Sequence, residues 1–248
     1  MNNTSSVTKI LFVCHGNICR SPMAEFVLKD MVRRAGIEQD FYIESAATST
    51  EEIGNPVYPP ARKKLDEHNI DCSGKTARRI RREDYENFDL IIGMDEENLY
   101  NLIRAYGGDP RDKVHGLLEY ADRHGEDIAD PWYTGDFEQT WKDVNAGCLG
   151  LLISLVDKVT LDLSACAGVK DVYAEFRNKM LWGRKYGENL DALWDILTGL
   201  PHLGKSFEII MPENLAPSSD FADYLGRICR LFLETGLPVE IKGWEKSK

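Results

Sequence analysis

The sequence predicts an α/β protein of two domains, on three observations. Short apolar runs alternate with helical stretches, the pattern of a parallel sheet with helices on both faces. Four such runs precede residue 157 and three follow it, giving a four-stranded parallel sheet and then a smaller three-stranded parallel α/β domain. Length and charge divide at the same place. A chain of 248 residues is long enough for two cores. Residues 1–157 carry 18 Lys+Arg against 28 Asp+Glu, and residues 158–248 carry 12 against 13, so nearly all of the net charge of −11 belongs to the first part. The expected domains are therefore 1–157 and 158–248.

In the first domain the apolar run Ile10 to Val13 reads as a buried strand ending near Cys14. Ser21-Pro22 then opens a helix over Pro22–Ala35, as N-cap and first-turn residue. Strands are expected near Tyr42–Ser45, Leu90–Met94 and Val114–Gly116, and helices near Pro60–His68 and Glu96–Tyr106. Asp95 is the expected N-cap of the latter, with Glu96 and Glu97 in its first turn. A last helix, Phe137–Val156, lines up Trp141, Val144, Cys148, Leu151, Leu152 and Leu155 on one face. The second domain begins almost without a linker. Val159–Leu163, Phe207–Met211 and Val239–Ile241 read as strands, and Val169–Trp182 and Phe221–Thr235 as helices. Between them Leu190, Leu193, Trp194 and Leu197 form an apolar stripe at helical spacing. That spacing sets Asp191 and Asp195, four apart, on the exposed face.

The chemistry concentrates at Val13-Cys14-His15-Gly16-Asn17-Ile18-Cys19-Arg20-Ser21-Pro22. A loop between a strand and a helix N-terminus can turn its N–H groups inward as an anion nest. A cysteine at the mouth of such a nest is expected to ionise readily, since free cysteine titrates near ~8.5 and such surroundings lower that to roughly 3.5–7.5. Arg20 supplies a planar charged fork that matches two phosphate oxygens. The parts describe a phosphate-binding loop that carries its own nucleophile. A second Cys-x5-Arg, Cys72 to Arg78, follows no apolar strand and precedes no Ser-Pro, so it reads as coincidence. Its Gly-Lys-Thr lacks the earlier glycine of a nucleotide loop, because position 69 is Asn69. Asp130-Pro131-Trp132-Tyr133 offers a proton donor held out of a helix by the following proline, with two aromatics to wall a substrate ring. His15, His68, His115 and His124 show no metal spacing. No metal or cofactor is expected, because the nest and Arg20 supply the positive field.

Residues 8–157 resemble the low-molecular-weight protein-tyrosine phosphatases. The resemblance rests on the Cys14–Pro22 loop, Ser45-Ala46-Ala47, Gly54-Asn55-Pro56 with Pro59-Pro60, Gly93-Met94-Asp95 and Asp130-Pro131-Trp132. It implies Cys14 as nucleophile, Arg20 as phosphate and transition-state clamp, and Asp130 as general acid. It implies that Asn17, Ser21 and Ser45 hold the loop in shape, and that His15, Gly16, Asn17, Ile18, Cys19, Ser21, Ser45, Trp132 and Tyr133 form the substrate site. The implied activity is hydrolysis of phosphotyrosine in a protein substrate through a phosphocysteine intermediate. In the family the cysteine matching Cys19 can close a reversible disulfide with the nucleophile. One wall that is aromatic in many members is Glu51 here. Hydrolysis of arginine phosphate and arsenate reduction run on the same loop. Members acting on phosphoarginine tend to have Thr where Ile18 stands, and the reductases need a cysteine relay whose spacing Cys72 and Cys148 lack.

Residues 186–199 resemble the barstar family of ribonuclease inhibitors, and the order of elements over 158–243 agrees. The resemblance implies that Asp191 and Asp195 meet a protein partner, either a ribonuclease or another protein. The matching aromatic positions are Lys185 and Leu200 here. A retained fold used for another contact, and a purely stabilising domain, are the alternatives. The acidity of the first domain disfavours nucleic acid as a partner, although Arg78-Arg79-Ile80-Arg81-Arg82 is a local basic run that could recruit an acidic phosphoprotein. The longest apolar stretch, Leu149–Val156, is too short to span a bilayer, and six irregularly spaced cysteines form no disulfide framework. With a polar N-terminus, this predicts a cytoplasmic protein without a membrane partner.

Overall fold

A computed structural model describes residues 7–180, 187–199, 205–212 and 220–243. The chain forms two compact units, Met1–Leu152 and Ile153–Lys248.

In the first unit strands β1 (Thr8–Cys14), β2 (Phe41–Ala47), β3 (Leu90–Gly93) and β4 (Val114–Gly116) form a parallel sheet in the order β2-β1-β3-β4. The register pairs Cys14 with Ala47, Val13 with Gly93, and Gly93 with Gly116, so the carboxyl ends of the strands share one edge of the sheet. β1 is buried on both faces, which is why it reads as a continuous apolar run rather than an alternating one. Leu11 and Val13 join Ala46, Tyr85, Phe88, Ile91 and Leu102 in one cluster, while Ile10 and Phe12 are buried on the opposite side.

Helix α1 (Arg20–Ala35) packs on β1 and β2 and stops at Gly36, whose left-handed conformation lets its N–H reach the carbonyls of Val32 and Arg33. Ser21 is not its N-cap. Cys19 holds that position without a side-chain cap, because the Ser21 hydroxyl is buried and committed to the loop behind it. α2 (Pro59–Glu67) starts on its prolines. α3 (Asp84–Asn87) and α5 (Pro131–Thr134) are single turns. α4 (Glu96–Tyr106) packs on β3 and β4, capped by Asp95 as expected. α6 (Phe137–Leu155) buries Val144, Cys148, Leu151 and Leu152, and the His68 and Trp141 rings stack at 3.8 Å.

In the second unit β5 (Lys158–Asp162), β6 (Ser206–Ile210) and β7 (Val239–Lys242) form a parallel sheet in that order. Val159, Leu161, Phe207 and Ile209 project into a core shared with Val172, Tyr173 and Phe176 of α7 (Val169–Lys179), Leu193 and Leu197 of α8 (Leu190–Gly199), and Leu225, Ile228 and Phe232 of α9 (Asp220–Glu234). The alternate residues of the central strand face outward, and there Glu208 binds Lys158 at 2.9 Å and Lys242 at 2.6 Å. The stripe on α8 is narrower than the spacing predicts. Leu193 and Leu197 are buried, whereas Trp194 is 38% exposed at the edge of the core. Asp191 and Asp195 are both exposed. The end of the helix expected to reach Trp182, together with Lys185, Tyr186 and Leu200, lies outside the described residues.

Candidate active site

Cys14 ends β1 at the point where the strand order reverses, β2 lying on one side and β3 on the other. Ligands of open parallel sheets bind at such crevices. From Cys14 the chain turns through Asn17, which takes a left-handed conformation (φ 57°) that asparagine tolerates better than most residues. It then enters α1, whose N-terminal dipole favours negative charge in the loop.

A buried hydrogen-bond chain fixes this loop from behind. The Asn17 Oδ1 accepts the Arg78 N–H at 3.2 Å, which orients the amide so that Nδ2 donates to Ser21 Oγ at 2.9 Å and Ser45 Oγ at 2.7 Å. The Ser45 hydroxyl in turn donates to Glu25 Oε2 at 2.6 Å, and Lys75 closes the chain on that oxygen at 2.7 Å. Ser21, already accepting from Asn17, has its hydroxyl 3.1 Å from Cys14 Sγ and 3.5 Å from the Ala46 carbonyl. The Asn17 N–H also donates to the sulfur, at 3.3 Å. The Asn17 N–H as donor and the Ser21 hydroxyl therefore both hydrogen-bond Cys14.

Arg20 returns to the same place with its side chain only 3% exposed. Nη1 donates to Asp95 Oδ2 at 2.5 Å and to the Ile128 carbonyl at 2.9 Å, and Nη2 donates to Asp130 Oδ2 at 2.5 Å. Nε–H is buried with no protein partner, an exception among buried polar groups. Burial alone would lower the Arg20 pKa. Cys14, Asp130 and Asp95 outweigh it and raise the value above the usual one, so the guanidinium stays charged. Asp130 caps α5 through the Trp132 N–H at 3.0 Å.

Cys14, His15, Gly16, Ile18, Cys19, Arg20, Asp130, Trp132 and Tyr133 line one cavity of ≈ 120 Å³, joined by Glu51 and Glu52. Asn17, Ser21 and Ser45 lie behind the loop in the hydrogen-bond chain rather than on the cavity wall. Asp191 and Asp195 belong to α8 of the second unit. Trp132, 54% exposed, leans on Tyr58 at 5.1 Å between ring centroids, and Tyr133 is 85% exposed. Glu51, at the position that departs from the family, accepts from or is paired with His15 Nε2 at 3.1 Å. Burial, with Cys14 and Asp130 nearby, pushes the Cys19 thiol up, so it keeps its proton. The second Cys-x5-Arg builds no site. Cys72 is buried, and Arg78 is tied to Glu44 at 2.7 Å and Asp84 at 2.9 Å. Sequence reasoning missed the Asp95 and Ile128 contacts to Arg20 and the Glu25–Lys75 end of the chain. Only the Asp95 cap had a local signal. Among the described residues no cluster of His, Cys, Asp and Glu is placed to hold a metal ion, and no helix is long and apolar enough to cross a membrane.

A strand that ends on a cysteine, with an arginine brought back beside it, sets a sulfur nucleophile next to a charged fork suited to a phosphate group. Residues 9–161 match the low molecular weight phosphotyrosine protein phosphatase family, and the chain belongs to that family. Residues 156–235 match the family described as barstar (barnase inhibitor). The low molecular weight protein-tyrosine-phosphatase YfkJ of Bacillus subtilis is 38% identical over 147 residues, 59% of this chain and 94% of the relative. The crystal structure of YfkJ is similar with a TM-score of 0.60 at 36% identity, covering 62% of this chain and 97% of that one. SP-PTP, a low molecular weight protein tyrosine phosphatase from Streptococcus pyogenes, has a TM-score of 0.54 at 40% identity, covering 60% and 93%. DARP, a Drosophila arginine phosphatase, has a TM-score of 0.55 at 31% identity, covering 58% and 96%.

Proposed function

We propose that residues 1–157 hydrolyse phosphotyrosine in protein substrates through a phosphocysteine intermediate. Cys14 Sγ attacks phosphorus as the P–O bond to the phenol breaks, and the electron pair leaves on the phenolic oxygen. Asp130 gives that oxygen its proton. It then takes one from the water that attacks the phosphocysteine, releasing phosphate and restoring the thiolate. Arg20 and the loop amides stabilise the equatorial oxygens, and loss of one such donor typically costs ~10²–10³ in rate. The Asn17 N–H and the Ser21 hydroxyl stand against the sulfur, where they can take up the charge that returns to it as phosphate departs.

The observation that carries this reading is the buried, unpartnered Arg20 Nε–H beside a cysteine hydrogen-bonded by the Asn17 N–H and the Ser21 hydroxyl. Its test is Cys14→Ser, which is expected to abolish turnover of p-nitrophenyl phosphate. Full activity in that variant would remove the mechanism. Hydrolysis of arginine phosphate is the second reading, supported by likeness to the Drosophila arginine phosphatase. Initial rates on phosphotyrosine and phosphoarginine peptides separate the two, and the apolar Ile18 on the cavity wall favours the aromatic substrate. Arsenate reduction is disfavoured, because Cys72 and Cys148 are both buried and lack the spacing of a relay.

Residues 158–248 act in this proposal as a protein-interaction domain. Asp191 and Asp195, exposed on one helix, offer negative charge to a basic protein surface, with a small ribonuclease as the partner to test. Calorimetry against a barnase-type ribonuclease decides that point, and no heat at micromolar concentration would exclude the ribonuclease. Six free cysteines support a reducing compartment, the cytoplasm.

A further inference from the structure

Beside the Cys14 cavity lies a second recess of ≈ 370 Å³, whose lining includes His15, Thr48, Ser49, Arg79, Glu97 and Arg104. His15 is the wall that the two hollows share. The recess is built on rigid parts. The Thr48 and Ser49 N–H groups bond the Cys14 and His15 carbonyls at 2.9 and 3.0 Å, and Arg79 is bridged to Ala47 at the end of β2. Arg104 projects from the last turn of α4. Arg79 and Arg104 are exposed, and neither forms an ion pair with any described residue. Arg78, the neighbour of Arg79 in the basic run, is by contrast turned inward onto Glu44 and Asp84. Of the nearby carboxylates, Glu51 is engaged by His15, which leaves Glu97 against two arginines. This positive spot stands in a part of the chain whose net charge is −10.

We propose that the recess is a subsite for an anionic side chain, Asp or Glu, close in sequence to the phosphotyrosine of the protein substrate. Arg79 and Arg104 supply the charge, and the Thr48 and Ser49 hydroxyls supply neutral donors. A carboxylate and a second phosphoryl group share the chemistry that would bind here. The carboxylate is favoured because both arginines are solvent-exposed and Glu97 already offsets one of them, which suits a singly charged group. The proposal rests on the phosphatase reading above and specifies which phosphoproteins that site prefers.

The test compares kcat/KM for three phosphotyrosine peptides that differ only in the flanks: Asp/Glu, neutral, and neutral with a second phosphoserine. Exposed pairs are individually weak, so wild type is expected to prefer the acidic over the neutral flank by roughly fivefold at low salt, with the preference fading at high salt. In Arg79→Ala/Arg104→Ala that ratio falls to about one, and in Arg79→Glu/Arg104→Glu it inverts. A wild-type ratio of one, or a ratio that the double variants leave unchanged, would overturn the subsite. A preference for the phosphoserine peptide alone would overturn the carboxylate as its occupant. Inactivity of the wild type on p-nitrophenyl phosphate is a separate result, which sinks the phosphatase reading. The subsite is then still read from the ratio of peptide dissociation constants measured by calorimetry with the Cys14→Ser chain.

Discussion

Asp95 divides its two carboxylate oxygens between stability and the site. Oδ1 caps α4 by accepting the Asn98 N–H at 2.6 Å, while Oδ2 holds Arg20 Nη1 at 2.5 Å. Asp95→Asn separates the two tasks. Asparagine caps a helix as well as aspartate does, but once its oxygen faces Asn98 its NH₂ confronts the guanidinium, donor against donor. The melting temperature is expected to stay within about 2 °C, because the cap survives. The kcat/KM for p-nitrophenyl phosphate is expected to fall about tenfold, because a charge-assisted hydrogen bond is lost. An unchanged kcat/KM would mean that Arg20 is positioned without Asp95. The cap was legible in the sequence because capping is local. The second oxygen was not, because Arg20 lies 75 positions away and no spacing rule links them. The same holds for the Glu25–Lys75 end of the chain, which meets Ser45 only once β2 is beside β1, whereas Asn17, Ser21 and Ser45 were reached through the family resemblance.

At the scale of elements, two packing details set the signs of predictions. Gly150 lies within α6, where replacing glycine by alanine ordinarily stabilises a helix by about 1 kcal/mol. Here a Cβ would fall 1.7 Å from the Tyr120 carbonyl oxygen, a backbone atom that cannot swing away. Gly150→Ala is therefore expected to destabilise the chain by about 1–3 kcal/mol in urea titration, and a gain in stability would show that the turn at Tyr120 yields freely. On β6, hydrogen bonds from Lys242 and Lys158 lower the Glu208 pKa to about 2. An unfolded glutamate titrates near ~4.3, so this pair stabilises the fold above that pH and loses its effect as pH falls toward the folded value. The melting-temperature gap between wild type and Glu208→Gln should be present at pH 6 and close between about pH 4.5 and 2. A gap that persists at pH 2 would assign it to packing instead. The long elements were readable from periodicity, but α3 and α5 were not, since four residues carry no period. Trp194 misled the stripe because it sits on the boundary of the buried arc, where a large side chain can stay half outside.

For the whole molecule, every residue assigned to the candidate active site lies in the first unit, which has its own sheet and core. A chain of residues 1–157 is therefore expected to fold and to retain kcat on p-nitrophenyl phosphate within about twofold. A loss of tenfold or more would give the second unit a part in catalysis. The presence of two sheets was legible from the recurrence of apolar runs, and the charge division was plain from counting. The strand order β2-β1-β3-β4 was not, because alternation fixes how many strands there are and not which neighbours they choose.

The pairing of Arg20 with Asp130 bears on what the site does between turnovers. In the proposed mechanism, an arriving phosphoryl group is not the first anion that this guanidinium meets. It has to evict one tethered to the same polypeptide, and Asp130, once released and protonated from solvent, then stands beside the ester oxygen as the proton donor. Residence and release are thus coupled in one exchange of counter-ions.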